Sequence, residues 1–81
     1  MGNPLSRKAT VDENYDLNTI AGGIYDYYVE KGLPSNIPPG LQRGTIIVFN
    51  NPYHSLQIIV DSKNFYYRVS GEKWGDWVNL C

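Results

Sequence analysis

Three prolines fall between Leu33 and Gly44, at Pro34, Pro38 and Pro39, with Gly40 and Gly44 beside them. Proline lacks an N–H and fixes φ, so this stretch can be neither a helix nor a central strand. It reads as a long, stiff surface loop, and such loops often carry function. Elsewhere, turn-forming residues cut the chain into short β-forming runs, and no amphipathic helix of any length is present.

The runs follow one another closely. Ile24 to Val29 is the first, ended by Glu30-Lys31-Gly32. Thr45 to Phe49 is almost continuously apolar, the pattern of a strand buried on both faces. Ser55 to Val60 places Leu56, Ile58 and Val60 on one face, and Phe65, Tyr67 and Val69 match that face after the turn Asp61-Ser62-Lys63-Asn64. That turn has hairpin chemistry, with Asn64 able to take a positive φ. Ser70 to Lys73 is a further turn, and Trp74 to Leu80 a last strand. Before all of these, Asp16 to Ile20 can form one helical or Asx-type turn capped by Asp16. Residues 1–14 are polar and read as an arm or linker, leaving 15–81 as the folded domain. The expected fold class is all-β with a minor helical turn near 16–20: a small antiparallel sheet, a sandwich or a half-open barrel.

Eighty-one residues allow one small domain, which buries only roughly 60% of its unfolded surface. Cys81 is the only cysteine, so no disulfide can form within the chain, and one Cys with one His cannot supply a structural zinc site. The core must rest on aromatic mass, which makes up 14% of the residues, or on oligomerisation. A net charge of −1 lacks the basic face a nucleic-acid binder needs. No apolar run approaches the ~20 residues of a membrane span, and no signal-peptide core follows Met1. Met1 to Ser6 formally fits a myristoylation pattern, but a match with so few fixed positions is weak, and a plain chain start is the simpler reading.

Catalysis finds little footing. His54, the one imidazole, sits in the loop Asn50-Asn51-Pro52-Tyr53-His54. A Ser–His–Asp set can be written on paper from Ser55 or Ser70 with Asp61, yet no local signature supports it, and a solvated loop histidine is the plainer reading. Asp61, Glu72 and Asp76 stand at turns or strand ends, where acids ordinarily face water rather than each other. Ala21-Gly22-Gly23 lacks the spacing and the following helix of a phosphate loop. The chain reads as a binding domain, not an enzyme, with no cofactor and no metal. Cys81 is terminal and isolated, a passive thiol or at most a cross-link between chains. Trp74 and Trp77 are three apart, so on a regular strand they face opposite sides unless Gly75 makes a bulge. One ring would then be core and the other exposed for a sugar or a partner.

An ordered set of motifs carries a resemblance. It comprises Asp16-Leu17-Asn18-Thr19-Ile20; Ile24, Tyr25 and Tyr27; Gly44 to Phe49; Gln57-Ile58; Phe65 to Arg68; and Gly71, Trp74, Trp77 and Leu80. In this order the chain resembles the pyocin-knob domains of phage tail fibres and R-type pyocin fibres, over about residues 15–80. Ala21-Gly22-Gly23 departs from the Thr/Pro-containing stretch common in that family, and the loop 50–55 is short.

The resemblance implies a non-catalytic domain of a phage or prophage tail-fibre protein that contributes to attachment to a bacterial surface glycan or protein. It implies a homotrimeric parent fibre and a virion setting, made in the bacterial cytoplasm. Tyr25, Tyr67, Trp74 and Trp77 become framework. Ligand contacts then fall to the loops: Tyr53, His54, Asn36 and Arg43, which offer a stacking face and fixed donors. Rival expectations are a structural spacer or trimerisation module, and an accessory domain of a polysaccharide-degrading tail enzyme.

Overall fold

The structure, a computed structural model, describes residues 7–71 and 73–80. Six strands lie side by side in chain order in one open sheet: β1 (Arg7–Thr10), β2 (Gly23–Tyr28), β3 (Arg43–Asn50), β4 (Ser55–Val60), β5 (Phe65–Ser70) and β6 (Val78–Asn79). β1 runs parallel to β2, and every later pair is antiparallel. A single 3-10 turn, Val29–Lys31, follows β2. The fold is all-β, in a sheet of mixed direction.

One face of this sheet is covered by irregular chain rather than by a second sheet. Val11 and Leu17 from the β1–β2 crossover and Leu41 from the proline loop join Tyr25, Tyr27, Ile46, Val48 and Ile59 in the buried cluster. Tyr15, Ile20, Leu33, Ile37 and Trp77 pack around them. The two covering segments are tied together: Asp16 bridges Ser35, with Leu17 N–H donating to the Ser35 carbonyl and Ser35 N–H to the Tyr15 carbonyl. Pro34 and Pro38 are buried, so the proline stretch is a lid on the core as well as a surface loop. The prolines suit that place, because a lid with few N–H groups leaves few donors to satisfy.

Several sequence expectations are corrected. β1 and the fully buried Val11 bring the chain into the fold from Arg7 onward, where the sequence reads as an arm through residue 14. The turn at 16–20 is an Asx turn: Asn18 N–H donates to Asp16 Oδ1 at 2.9 Å and Thr19 N–H to the Asp16 carbonyl at 3.0 Å. The 61–64 hairpin closes on the Asp61 carboxylate, which accepts from Lys63 N–H and Asn64 N–H at 2.7 Å each. Asn64 needs no positive φ there; among the described non-glycine residues only Asn36 has one, at 68°. The final segment is mostly irregular: Val78–Asn79 forms a short strand on β5, and Trp74 makes a single bridge to Ser70.

The largest correction concerns which face is inside. The pairings Leu56 with Val69, Ile58 with Tyr67 and Val60 with Phe65 match the expected register. Those side chains lie on the uncovered face, however, while Gln57, Ile59, Tyr66 and Arg68 face the core layer. β3 likewise buries Ile46 and Val48 but leaves Ile47 and Phe49 on the open side, so it is not buried on both faces.

Gly44 explains part of the close fit between β2, β3 and β4. A Cβ there would stand 2.5 Å from the Val60 carbonyl oxygen, 2.8 Å from the Tyr27 hydroxyl and 3.0 Å from Asp61 Cβ. Only a residue without a side chain fits. Gly44→Ala is expected to destabilise by about 2–3 kcal/mol through overpacking. Gly40→Ala meets open space and faces only the φ of +85°, at about 1 kcal/mol. Urea unfolding of the two variants measures the difference.

Candidate functional site

At the centre of the covered face is a buried cation. Arg68, 5% exposed, lies between two indoles, its guanidinium carbon 4.2 Å from the Trp74 ring centroid and 4.6 Å from that of Trp77. Its Nε donates to Gln57 Oε1 at 2.8 Å and Nη2 to Asn18 Oδ1 at 2.9 Å. Gln57, fully buried, passes its amide on to the Leu17 carbonyl. Trp74 Nε1 donates to the Asn18 carbonyl at 3.1 Å, and Trp77 Nε1 to the Asn36 carbonyl at 2.8 Å. Asn36 Nδ2 donates to Asp16 Oδ1 at 2.7 Å. Burial pushes the arginine pKa down to about 10, against the opposing pull of Asp16, so the group stays charged at neutral pH. The cluster works as a clamp on this cation.

The tryptophans therefore do not face opposite sides of a strand. Both reach Arg68, because Gly75 and Asp76 lie in an irregular connection whose Gly75 N–H donates to the Val69 carbonyl. They are framework, and so is the buried Tyr25. Tyr67 instead lies on the uncovered face.

The four candidate ligand residues do not converge. Tyr53, 86% exposed, and His54 stand on the β3–β4 hairpin, held by Asn51 Oδ1, which accepts from both of their N–H groups. Arg43 opens β3 at the opposite end, so at ~3.4 Å per residue it is roughly 24 Å from that hairpin. Asn36 is used by Asp16 and Trp77.

Arg43 does line a concavity. Gly40, Gln42, Arg43, Asp61, Ser62, Lys63 and Asn64 enclose a polar cleft of about 440 Å³, within the size range of small-ligand sites. Arg43 Nη2 lies 3.3 Å from Glu30 Oε2, and both side chains are about two-thirds exposed, so this pair holds the guanidinium only weakly. The cleft presents cations and amide donors beside a carboxylate, with no aromatic platform, which suits a hydroxyl- and acid-bearing ligand. Asp61 is engaged by its own turn, whose Lys63 N–H and then Asn64 hold its carboxyl below the ordinary value. Sequence reading reached Arg43 but not Gln42, Lys63 or Asn64; their signal was only that a hairpin turn and the end of the proline loop could meet.

Among the described residues no group of three His, Cys, Asp or Glu comes together, and no helix is long and apolar enough to cross a membrane. The Met1–Ser6 pattern, Glu72 and Cys81 lie outside the described residues. Compared with protein-family models, curated proteins and solved structures, the chain matches none.

Two predictions follow from the clamp. Arg68→Met leaves Gln57 and Asn18 without their donor and the indoles without their cation, and should cost on the order of 3 kcal/mol in chemical unfolding. Adding Gln57→Leu should cost less than the two changes summed, because both polar partners then leave together. Acid sensitivity comes from the carboxylates. The Asn18 N–H and then the Asn36 amide hold Asp16 below its ordinary value of 3.8, and Asp61 is lowered too. Carboxyls with depressed folded pKa values stabilise at pH above the ordinary value, and that stability is lost as pH falls through the folded values. Melting temperature should be level from pH 7 to about 5 and drop below about 4. Asp16→Asn should remove part of the drop.

Proposed function

We propose that this chain is a non-catalytic attachment module of a phage or prophage tail fibre, docked to protein by one side and meeting a bacterial surface with another. The observation that carries this reading is the inequality of its surfaces: a sheet face of mostly apolar side chains, none of them buried, and at one end of the strands a polar cleft bearing Arg43 and Lys63. Such an apolar face fits a contact with protein, since monomers rarely leave large apolar patches bare. The ordered motifs shared with pyocin-knob domains supply the setting, a fibre in which several copies stand together.

The cleft favours an acidic glycan. Arg43 and Lys63 offer charge-assisted hydrogen bonds to a carboxylate, and Gln42, Ser62 and Asn64 offer donors and acceptors to hydroxyls. The exposed Glu30 contact to Arg43 is weak enough for a ligand to replace. Tyr53 and His54 form a separate patch at the far end of β3 and contribute nothing to this cleft.

A glycan array combined with whole-cell binding tests the reading. The wild type is expected to bind acid-bearing surface glycans, and Arg43→Ala with Lys63→Ala to weaken that binding tenfold or more, about the worth of one charge-assisted hydrogen bond. Tyr53→Ala should leave it unchanged. Absence of binding to any glycan or host surface, or binding indifferent to the double change, would reject it.

A further inference from the structure

The open face of the sheet is apolar across its middle but not at the end beside the cleft. Ile24, Ile47, Ile58, Tyr67 and Val78 cross the middle in paired register from β2 to β6. Toward the cleft, the next rung on β2 and β3 pairs Asp26 with Thr45, and the last pairs Tyr28 with Arg43. Side chains paired in this way stand about 4.5–5.5 Å apart at Cβ on one face. Tyr28 is therefore the cross-strand neighbour of Arg43, which lines the cleft. The Arg43 side chain also runs to that side, because its Nη2 stands 3.3 Å from Glu30 Oε2, in the 3-10 turn that follows Tyr28. Tyr28 is 36% exposed, and Val29 after it 46%.

We infer that the binding site does not end at the cleft: Tyr28 forms a second subsite beside it, which takes a neutral sugar linked to the acidic one held by Arg43 and Lys63. The inference rests on reading the cleft as a site for an acidic glycan, and it names the length and charge order of that ligand.

A pyranose has one face of C–H groups and an edge of hydroxyls, so it calls for a flat apolar ring with polar groups around it. The cleft has polar groups and no ring, and Tyr28 is the ring paired directly with one of its cations. Thr45, one rung inward on the same face, supplies a hydroxyl. Spacing agrees with this. Adjacent strands lie ~4.8 Å apart, about the repeat of one sugar unit, so a unit held at Arg43 on β3 places its neighbour over Tyr28 on β2.

Charge decides what that neighbour is. Arg43 and Lys63 are cations of the cleft, whereas Tyr28 stands between two acids, Asp26 on its own strand and Glu30 in the turn beyond it. A carboxylate over Tyr28 would meet like charge from both, and a neutral unit would not.

The test is an NMR titration of the full chain with methyl glycosides of glucuronic acid and of N-acetylneuraminic acid. Each acid is offered alone, linked to galactose, and linked to a second copy of itself. The acid–galactose probes should bind about tenfold tighter than the acids alone, roughly the worth of one stacked ring. The two-acid probes should show no such gain. Tyr28→Ala should abolish the gain, Tyr28→Phe should keep most of it, and Arg43→Ala should weaken binding of the single acid and the acid–galactose probe together. In the wild type the Tyr28 ring signals, assigned by their loss in Tyr28→Phe, should shift with the acid–galactose probe, a readout that holds even where Tyr28→Ala unfolds. No gain in the wild type, no shift of those signals, a gain that Tyr28→Ala leaves intact, or an equal gain from the two-acid probes overturns the inference and leaves the cleft reading standing. Absence of binding by every probe at millimolar concentration removes the cleft reading, and the inference with it.

Discussion

The guanidinium of Arg68 gathers the crossover, the final segment and the proline lid over one strand. It is taken out of water on the core side of β5, a placement that costs several kcal/mol unless the charge is matched. Two indole faces and the carbonyl oxygens of Gln57 and Asn18 do the matching. Through these contacts the crossover at Asn18 and the final segment at Trp74 and Trp77 meet over one side chain, and the Trp77 hydrogen bond to Asn36 adds the proline lid. Arginine suits the place better than lysine, because its planar fork can stack and donate at once.

That clamp decides the shape of the whole domain. Among the described residues the sheet has a covering layer on one face only. Irregular segments supply it, and on the face that carries Arg68 the Asn18 side chain and the Leu17 carbonyl complete the bonding of Arg68 and Gln57. The opposite face, mostly apolar, offers those segments few hydrogen bonds and stays uncovered by the described residues. The polar cleft lies at the end of the strands, where the proline loop meets the 61–64 turn.

Much of the fold could be read from residue order alone. The β3–β4–β5 meander and its register followed from the alternation in 55–60 and 65–69 and from the Asp61 turn. Phe65, Tyr67 and Val69 did pair with Val60, Ile58 and Leu56. The Asx chemistry of Asp16 was legible because it is local. β1 was not, because a four-residue parallel edge strand has no hairpin partner in sequence and little apolar content. The joint position of Trp74 and Trp77 escaped a strand-based reading because Gly75 and Asp76 leave the ladder. Of the loop residues proposed for binding, Arg43 lines the cleft, whereas Asn36 turned out to be bound into the framework by Asp16 and Trp77.

The sequence by itself determined the all-β class, the main turns and the division of each strand into two sets of side chains, since these depend on neighbours and on a period of two. It could not say which set faces inward. Apolar periodicity pointed to Leu56, Ile58 and Val60, but the interior took Gln57, Ile59, Tyr66 and Arg68 instead. Only tertiary structure decides that, because burying an arginine and a glutamine is tolerable only when distant residues supply a partner for each polar atom. Those partners, at Leu17, Asn18, Trp74 and Trp77, are brought together by the fold and by nothing local in the chain.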